Sequence, residues 1–141
     1  MNNTDLNIYF SGSIRGGREH AEWYDFIVKN LGNFGKINSE FVADKDLTSY
    51  GNIELTDYEI YKRDIDLIDQ SELIIADITV PSLGVGYELA YAERLNKKVI
   101  CLYHHIEGKK VSAMIAGNKN FKVFSYEKKE DILEIFKKIF E

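Results

Sequence analysis

A single α/β domain is predicted over residues 1–141: a Rossmann-like, flavodoxin-like fold with a parallel sheet of about five strands and helices on both faces. Three observations predict it. Short β-rich runs alternate with segments of helical periodicity from one end of the chain to the other. The run at residues 73–78, LIIADI, is compact and apolar, as in strands buried on both faces of a parallel sheet. No Pro-, Gly- or Ser-rich linker, repeat or low-complexity tract divides the 141 residues, a length that fits one domain.

Residues 6–11, LNIYFS, read as the first strand, and the glycines between Gly12 and Gly17 break it. A helix then runs to Leu31, with Trp23, Phe26, Ile27 and Leu31 at helical spacing. Residues 34–43 read as a second strand with a loop. Residues 55–70 form the next helix, with Tyr61, Ile65 and Ile68 on one side. After the apolar third strand, residues 83–95 are helical, with Val85, Leu89, Ala92 and Leu95 as the apolar stripe. Residues 98–103 repeat the strand signal, 111–116 make a short helix, 121–125 a last strand, and 128–140 a closing amphipathic helix. Such alternation implies right-handed βαβ units. Ligands of these sheets sit beyond the carboxyl ends of the strands, where strand order reverses.

Bulk chemistry excludes several function classes. A net charge of −5 disfavours a nucleic-acid polymer as partner, since phosphate-backbone binding draws on a broad excess of Lys and Arg. No apolar stretch approaches the ~20 residues that cross a bilayer, and the polar start MNNTD has neither the basic nor the apolar part of a signal peptide. Cys101, the only cysteine, has no partner for an internal disulfide, so a cytoplasmic location is expected. It reads as a packed strand residue.

Glu88 is the outstanding misfit. It falls at i+3 inside the apolar stripe of its helix, where a carboxylate is costly unless paired or used. Asp64 repeats the anomaly, three residues after Tyr61 and four before Ile68. Two carboxylates at one site suit glycosidic cleavage, one as acid toward the leaving group and one as nucleophile or base.

The turn SGSIRGGR at residues 11–18 has the makings of an anion cradle, with glycines, a helix start, Ser13, Arg15 and Arg18. It reads equally as a tight turn with solvated arginines, and it is neither a Walker loop nor a dinucleotide fingerprint. Ser82, before the Gly84 and Gly86 pair, caps its helix or binds a ligand oxygen. Tyr9 is a core or rim tyrosine, or a phenol at the same edge. His104 and His105 are expected in a surface loop, with no partner at metal-ligand spacing. The run EKKED at 127–131 reads as a solvated helix start.

Together YFSGSIRGGR (residues 9–18), PSLGVGYEL (81–89) and SAMI (112–115) resemble the 2'-deoxynucleoside 5'-phosphate N-hydrolases, within the nucleoside 2-deoxyribosyltransferase superfamily. The segments come in the family's order and span most of the chain. The resemblance implies hydrolysis of a deoxynucleoside 5'-monophosphate to free base and 2-deoxyribose 5-phosphate, without metal or other cofactor. By position it implies Glu88 as nucleophile at C1', Asp64 as the group assisting base departure, and Tyr9 as the residue orienting the nucleophile and crowding the sugar 2' position. Ser13, Arg15, Gly16 and Ser82 would hold the 5'-phosphate, with Ser11, Gly12, Ile14 and Gly84 also lining the substrate. Ser112 and Met114 would reach the neighbouring subunit's site in a homodimer. The chain departs from the vertebrate pattern at HAEW (residues 20–23) and around residues 44–56, which leaves the preferred base open. A base-exchanging transferase, a ribonucleotide (CMP-type) hydrolase and a non-catalytic nucleotide-binding module remain alternatives.

Overall fold

The computed structural model describes residues 5–14, 20–39 and 54–141. Its elements follow the expected alternation: β1 (Asn7–Ser11), α1 (Ala21–Leu31), β2 (Lys36–Ile37), α2 (Asp57–Asp69), β3 (Leu73–Asp77), α3 (Leu83–Arg94), β4 (Lys98–His104), α4 (Ala113–Ala116), β5 (Phe121–Tyr126) and α5 (Lys129–Phe140). All strand pairs are parallel, in the order β2-β1-β3-β4-β5. Strand order therefore reverses between β1 and β3, and a crevice for ligand is expected at their carboxyl ends.

Alternation along the strands divides the core in two. Ile8, Phe10, Leu73, Ile75, Ile100 and Leu102 face one side and pack with α1 and α5. Tyr9, Ile74, Ala76, Val99 and Cys101 face the other and pack with Ile68 of α2 and with Val85, Leu89 and Ala92 of α3. Every residue of β3 is buried, as the central strand of a doubly covered sheet must be. Cys101 lies within this core, and burial pushes its thiol up to about 12, which leaves it an inert packing residue.

Local chemistry fixes the helix ends. Thr56 caps α2 by accepting from the Glu59 N–H at 3.1 Å, and the Glu59 carboxylate accepts from the Thr56 N–H at 3.0 Å, a reciprocal capping box. Ser82 caps α3 by accepting from the Val85 N–H at 3.2 Å. Asp131 at the start of α5 accepts from the backbone N–H groups of Glu127 and Lys128, and residues 127–130 are exposed, as expected of a solvated helix start.

Four expectations are corrected. β2 has two residues, where 34–43 was expected; residues 40–43 lie outside the described structure. Beyond Ile37 the strand gives way because the Ser39 hydroxyl takes over the pairing, accepting from the Phe10 N–H and donating to the Phe10 carbonyl, both at 2.7 Å. Leu95, placed in the apolar stripe, is the C-cap of α3 and 41% exposed. Tyr61, placed on the inward side of α2, is exposed and meets the ring of Tyr87 edge-on, because in the first half of α2 only Ile60 is partly covered and continuous cover begins at Arg63. His104 is no loop residue: it ends β4, half-buried, with its ring stacked on Tyr126.

Candidate active site

Glu88 sits in the second turn of α3, on the side turned toward β1. There it meets two hydroxyls. The Tyr9 phenol donates to Oε2 at 2.6 Å and the Ser11 hydroxyl donates to Oε1 at 2.7 Å. Tyr9 and Ser11 are two apart on β1 and hence point to the same face of the sheet; both are buried. With one donor on each oxygen, the carboxylate is held in a fixed plane at the strand-order reversal.

Burial dominates its protonation. The low-dielectric surroundings push Glu88 up from its ordinary value to about 7; the two hydroxyl donors pull it down, nearby Asp64 pushes it up, and Arg63 pulls it down. Near neutral pH the group is poised between acid and carboxylate. Such a value belongs to a group that changes charge in use.

Asp64, from the covered half of α2, is the second carboxylate of this cluster. Burial raises its pKa, opposed by the Arg63 guanidinium, whose Nε donates to Oδ1 at 3.0 Å. Tyr9 is held well above its ordinary value by burial first and then by the charges of Glu88 and Asp64. The phenol therefore stays protonated and remains a donor.

The structure thus brings Glu88, Asp64 and Tyr9 together and adds Ser11 as a partner of the carboxylate. Arg63 escaped the sequence reading. Its signal was a cation directly beside an inward acid on a helix.

The other predicted residues are placed around this cluster. Ser13 is buried, and its backbone N–H donates to the Tyr24 hydroxyl at 3.1 Å. Gly12 precedes it at the carboxyl end of β1, and the Ile14 side chain packs against the core on the α1 and α5 side. Arg15 and Gly16 lie outside the described residues, as do Gly17 and Arg18. Gly84 is exposed in the first turn of α3, where an added Cβ would meet only the Ser82 hydroxyl at an ordinary 3.7 Å, so no close backbone approach requires glycine there.

Ser112 caps α4, accepting from the Met114 N–H at 3.3 Å, and Met114 is 82% exposed. Both border a cavity of about 610 Å³ between α3 and α4, whose walls include Val85, Leu89, Ile115 and Phe121. Ser82 borders this cavity as well, whereas Glu88, Asp64 and Tyr9 do not. Ser82 thus stands at the boundary between the two regions. Among the described residues, no three His, Cys, Asp or Glu side chains are grouped so as to hold a metal ion.

Comparison with known proteins adds the following. The sequence model of the nucleoside 2-deoxyribosyltransferase family matches residues 8–131. The chain is 40% identical over 138 residues to the 5-hydroxymethyl-dUMP N-hydrolase of Danio rerio, covering 96% of each chain. It is 44% identical to the putative 2'-deoxynucleoside 5'-phosphate N-hydrolase 1 of Nematostella vectensis, covering 94% of this chain and 92% of the relative. With the 5-hydroxymethyl-dUMP N-hydrolase of Homo sapiens it shares 41% identity, over 87% of this chain and 73% of the human one. The solved structure of the Clostridium botulinum CMP N-glycosidase BcmB has a similar fold, with a TM-score of 0.62 at 19% identity, covering 93% of this chain and 98% of that one.

Proposed function

Because this chain belongs to the nucleoside 2-deoxyribosyltransferase family, we propose that it hydrolyses the N-glycosidic bond of nucleoside 5'-monophosphates, the 2'-deoxy forms foremost, to a free base and 2-deoxyribose 5-phosphate. The observation that carries this reading is the Glu88 carboxylate, gripped by two hydroxyls at the strand-order reversal with Asp64 beside it. The N-hydrolase names of relatives at about 40% identity support the same chemistry.

In the first step the ionised Glu88 attacks C1'. The C1'–N bond breaks as the C1'–O bond forms, and the departing base takes a proton from Asp64. In the second step a water loses its proton to Asp64 and attacks C1', which returns Glu88 as a carboxylate and completes the sugar phosphate. Tyr9 and Ser11 hold the nucleophile's two oxygens in line, and the Tyr9 ring crowds the sugar 2' position. Arg63 steadies Asp64 in the orientation needed for proton transfer. The 5'-phosphate rests against the turns after β1 and β3, held by Ser13, Arg15, Gly16 and Ser82.

The active assembly in this reading is a homodimer. The exposed Met114, Ser112 and the apolar cavity between α3 and α4 support it, as a surface fit for a second copy whose α4 segment approaches the phosphate side through Ser82.

Incubation with each deoxynucleoside and ribonucleoside 5'-monophosphate, followed by chromatography of the products, tests the proposal. Free base and sugar phosphate are expected, and Glu88→Ala is expected to abolish release while the circular dichroism spectrum is kept. Equal turnover of a nucleoside and its 5'-monophosphate would favour base exchange on nucleosides. Saturable binding without product would leave only a binding module.

A further inference from the structure

A second buried carboxylate network lies on the opposite face of the sheet, outside the reaction just described. Asp77, the last residue of β3, is fully buried. Its Oδ2 accepts from the Tyr126 hydroxyl at 2.6 Å and its Oδ1 from the Thr79 backbone N–H at 2.9 Å. The Tyr126 oxygen in turn lies 2.8 Å from His20 Nε2. Since the single phenolic proton is directed to Asp77, His20 must supply the proton of the second bond from Nε2.

Three strand ends are tied by this chain. Tyr126 ends β5 and reaches over β4 to the end of β3, with its ring stacked on His104 at 5.0 Å. The His104 backbone N–H donates to the Thr79 hydroxyl at 2.9 Å, which fastens β4 to the segment after β3. His20 is the N-cap of α1 and stands two residues after Arg18 in sequence. Its carbonyl accepts from the Tyr24 N–H at 3.2 Å, and the Tyr24 hydroxyl holds the backbone of Ser13. The chain therefore links the residues on both sides of the turn after β1 to the segment that leads into Ser82.

We propose that His20, Tyr126 and Asp77 are positioning residues, which hold Ser13 at the end of β1 and the segment leading into Ser82 in register with each other and so set the affinity for the 5'-phosphate. The inference rests on the reading that Ser13 and Ser82 help to hold the phosphate. Glu88 and Tyr9 are on the other face of the sheet, so loss of the chain leaves bond cleavage alone.

Steady-state kinetics on the full-length protein test it, with wild type, Tyr126→Phe, His20→Ala and His20→Gln assayed on a deoxynucleoside 5'-monophosphate and inhibited by inorganic phosphate. Tyr126→Phe and His20→Ala are expected to raise KM and the phosphate inhibition constant together by about tenfold, with kcat within about twofold. His20→Gln, whose amide restores a donor near the Nε2 position, should recover most of the loss. Unchanged KM and phosphate inhibition in the variants of a phosphate-selective wild type overturn the inference and leave the function standing. A fall in kcat at unchanged KM overturns it too, as the mark of a general folding defect. A wild type that treats nucleoside and 5'-monophosphate alike removes the phosphate reading and the inference with it. If His20→Ala does not fold, Tyr126→Phe and His20→Gln carry the comparison.

Discussion

Glu88 and Asp77 are both carboxylates at the carboxyl edge of the same sheet, and both oxygens of each accept hydrogen bonds. Their surroundings differ in two respects. Asp77 is sealed from solvent, and one of its donors is a backbone N–H that cannot rotate away. Glu88 is buried only in part, takes both donors from side chains, and has a second acid and an arginine in its field. A fully buried carboxylate with a rigid donor ties elements together; a partly exposed one with a neighbouring acid can exchange protons with a ligand.

The largest effect expected from that contrast is on turnover. Glu88→Ala should lower kcat by about three orders of magnitude or more, as loss of a nucleophile does, while Tyr126→Phe stays within about twofold. Base release followed over hours at saturating substrate measures both. A comparable loss in both variants would erase the distinction between the two acids.

Stability should move the other way. The folded-state pKa of Glu88 lies above its ordinary 4.5, at about 7, so the stability tied to its neutral form is complete below 4.5 and is lost as pH rises through about 7. Above that, the ionised group costs on the order of 3 kcal/mol. Glu88→Gln should therefore raise the urea midpoint at pH 9 and converge on the wild type at pH 4, and a destabilised variant at pH 9 would contradict this. Tyr126→Phe strips a donor from a sealed carboxylate, and should cost about 1–3 kcal/mol in the same unfolding experiment.

The smallest effect is a shift in the pH profile. Activity should fall on the acid side as Glu88 takes up its proton, with the limb near pH 7. The charge of Asp64 raises the Glu88 value, so the residual activity of Asp64→Asn should have its acid limb at lower pH. Tyr9→Phe removes a donor that favours the ionised form, and its limb should lie higher. Limbs displaced in the opposite directions would mean that another group governs the profile.

Much of the architecture was legible because periodicity is local. The strand runs and helical stripes placed the strands and helices of the described residues, and the misfits Glu88 and Asp64 stood out against their own apolar neighbours. Periodicity says nothing of where cover ends, which is why Tyr61 and Leu95 were assigned to the interior. The partners of Glu88 lie 77 and 79 residues away, and only the family resemblance singled out Tyr9 for that role. Asp77 was hidden in an apolar strand run, and its network draws on residues 49 positions downstream in β5 and on the start of α1. No spacing rule connects such positions.

The hydroxyl of Ser39 occupies both backbone groups of Phe10 where β2 stops, so the strand beside it offers no open donor and acceptor at that point. A buried backbone donor and acceptor left without partners is costly, and here one side chain supplies both. Ser39→Ala would leave both groups of Phe10 unpaired in the interior, and its cost would appear as a lower urea midpoint.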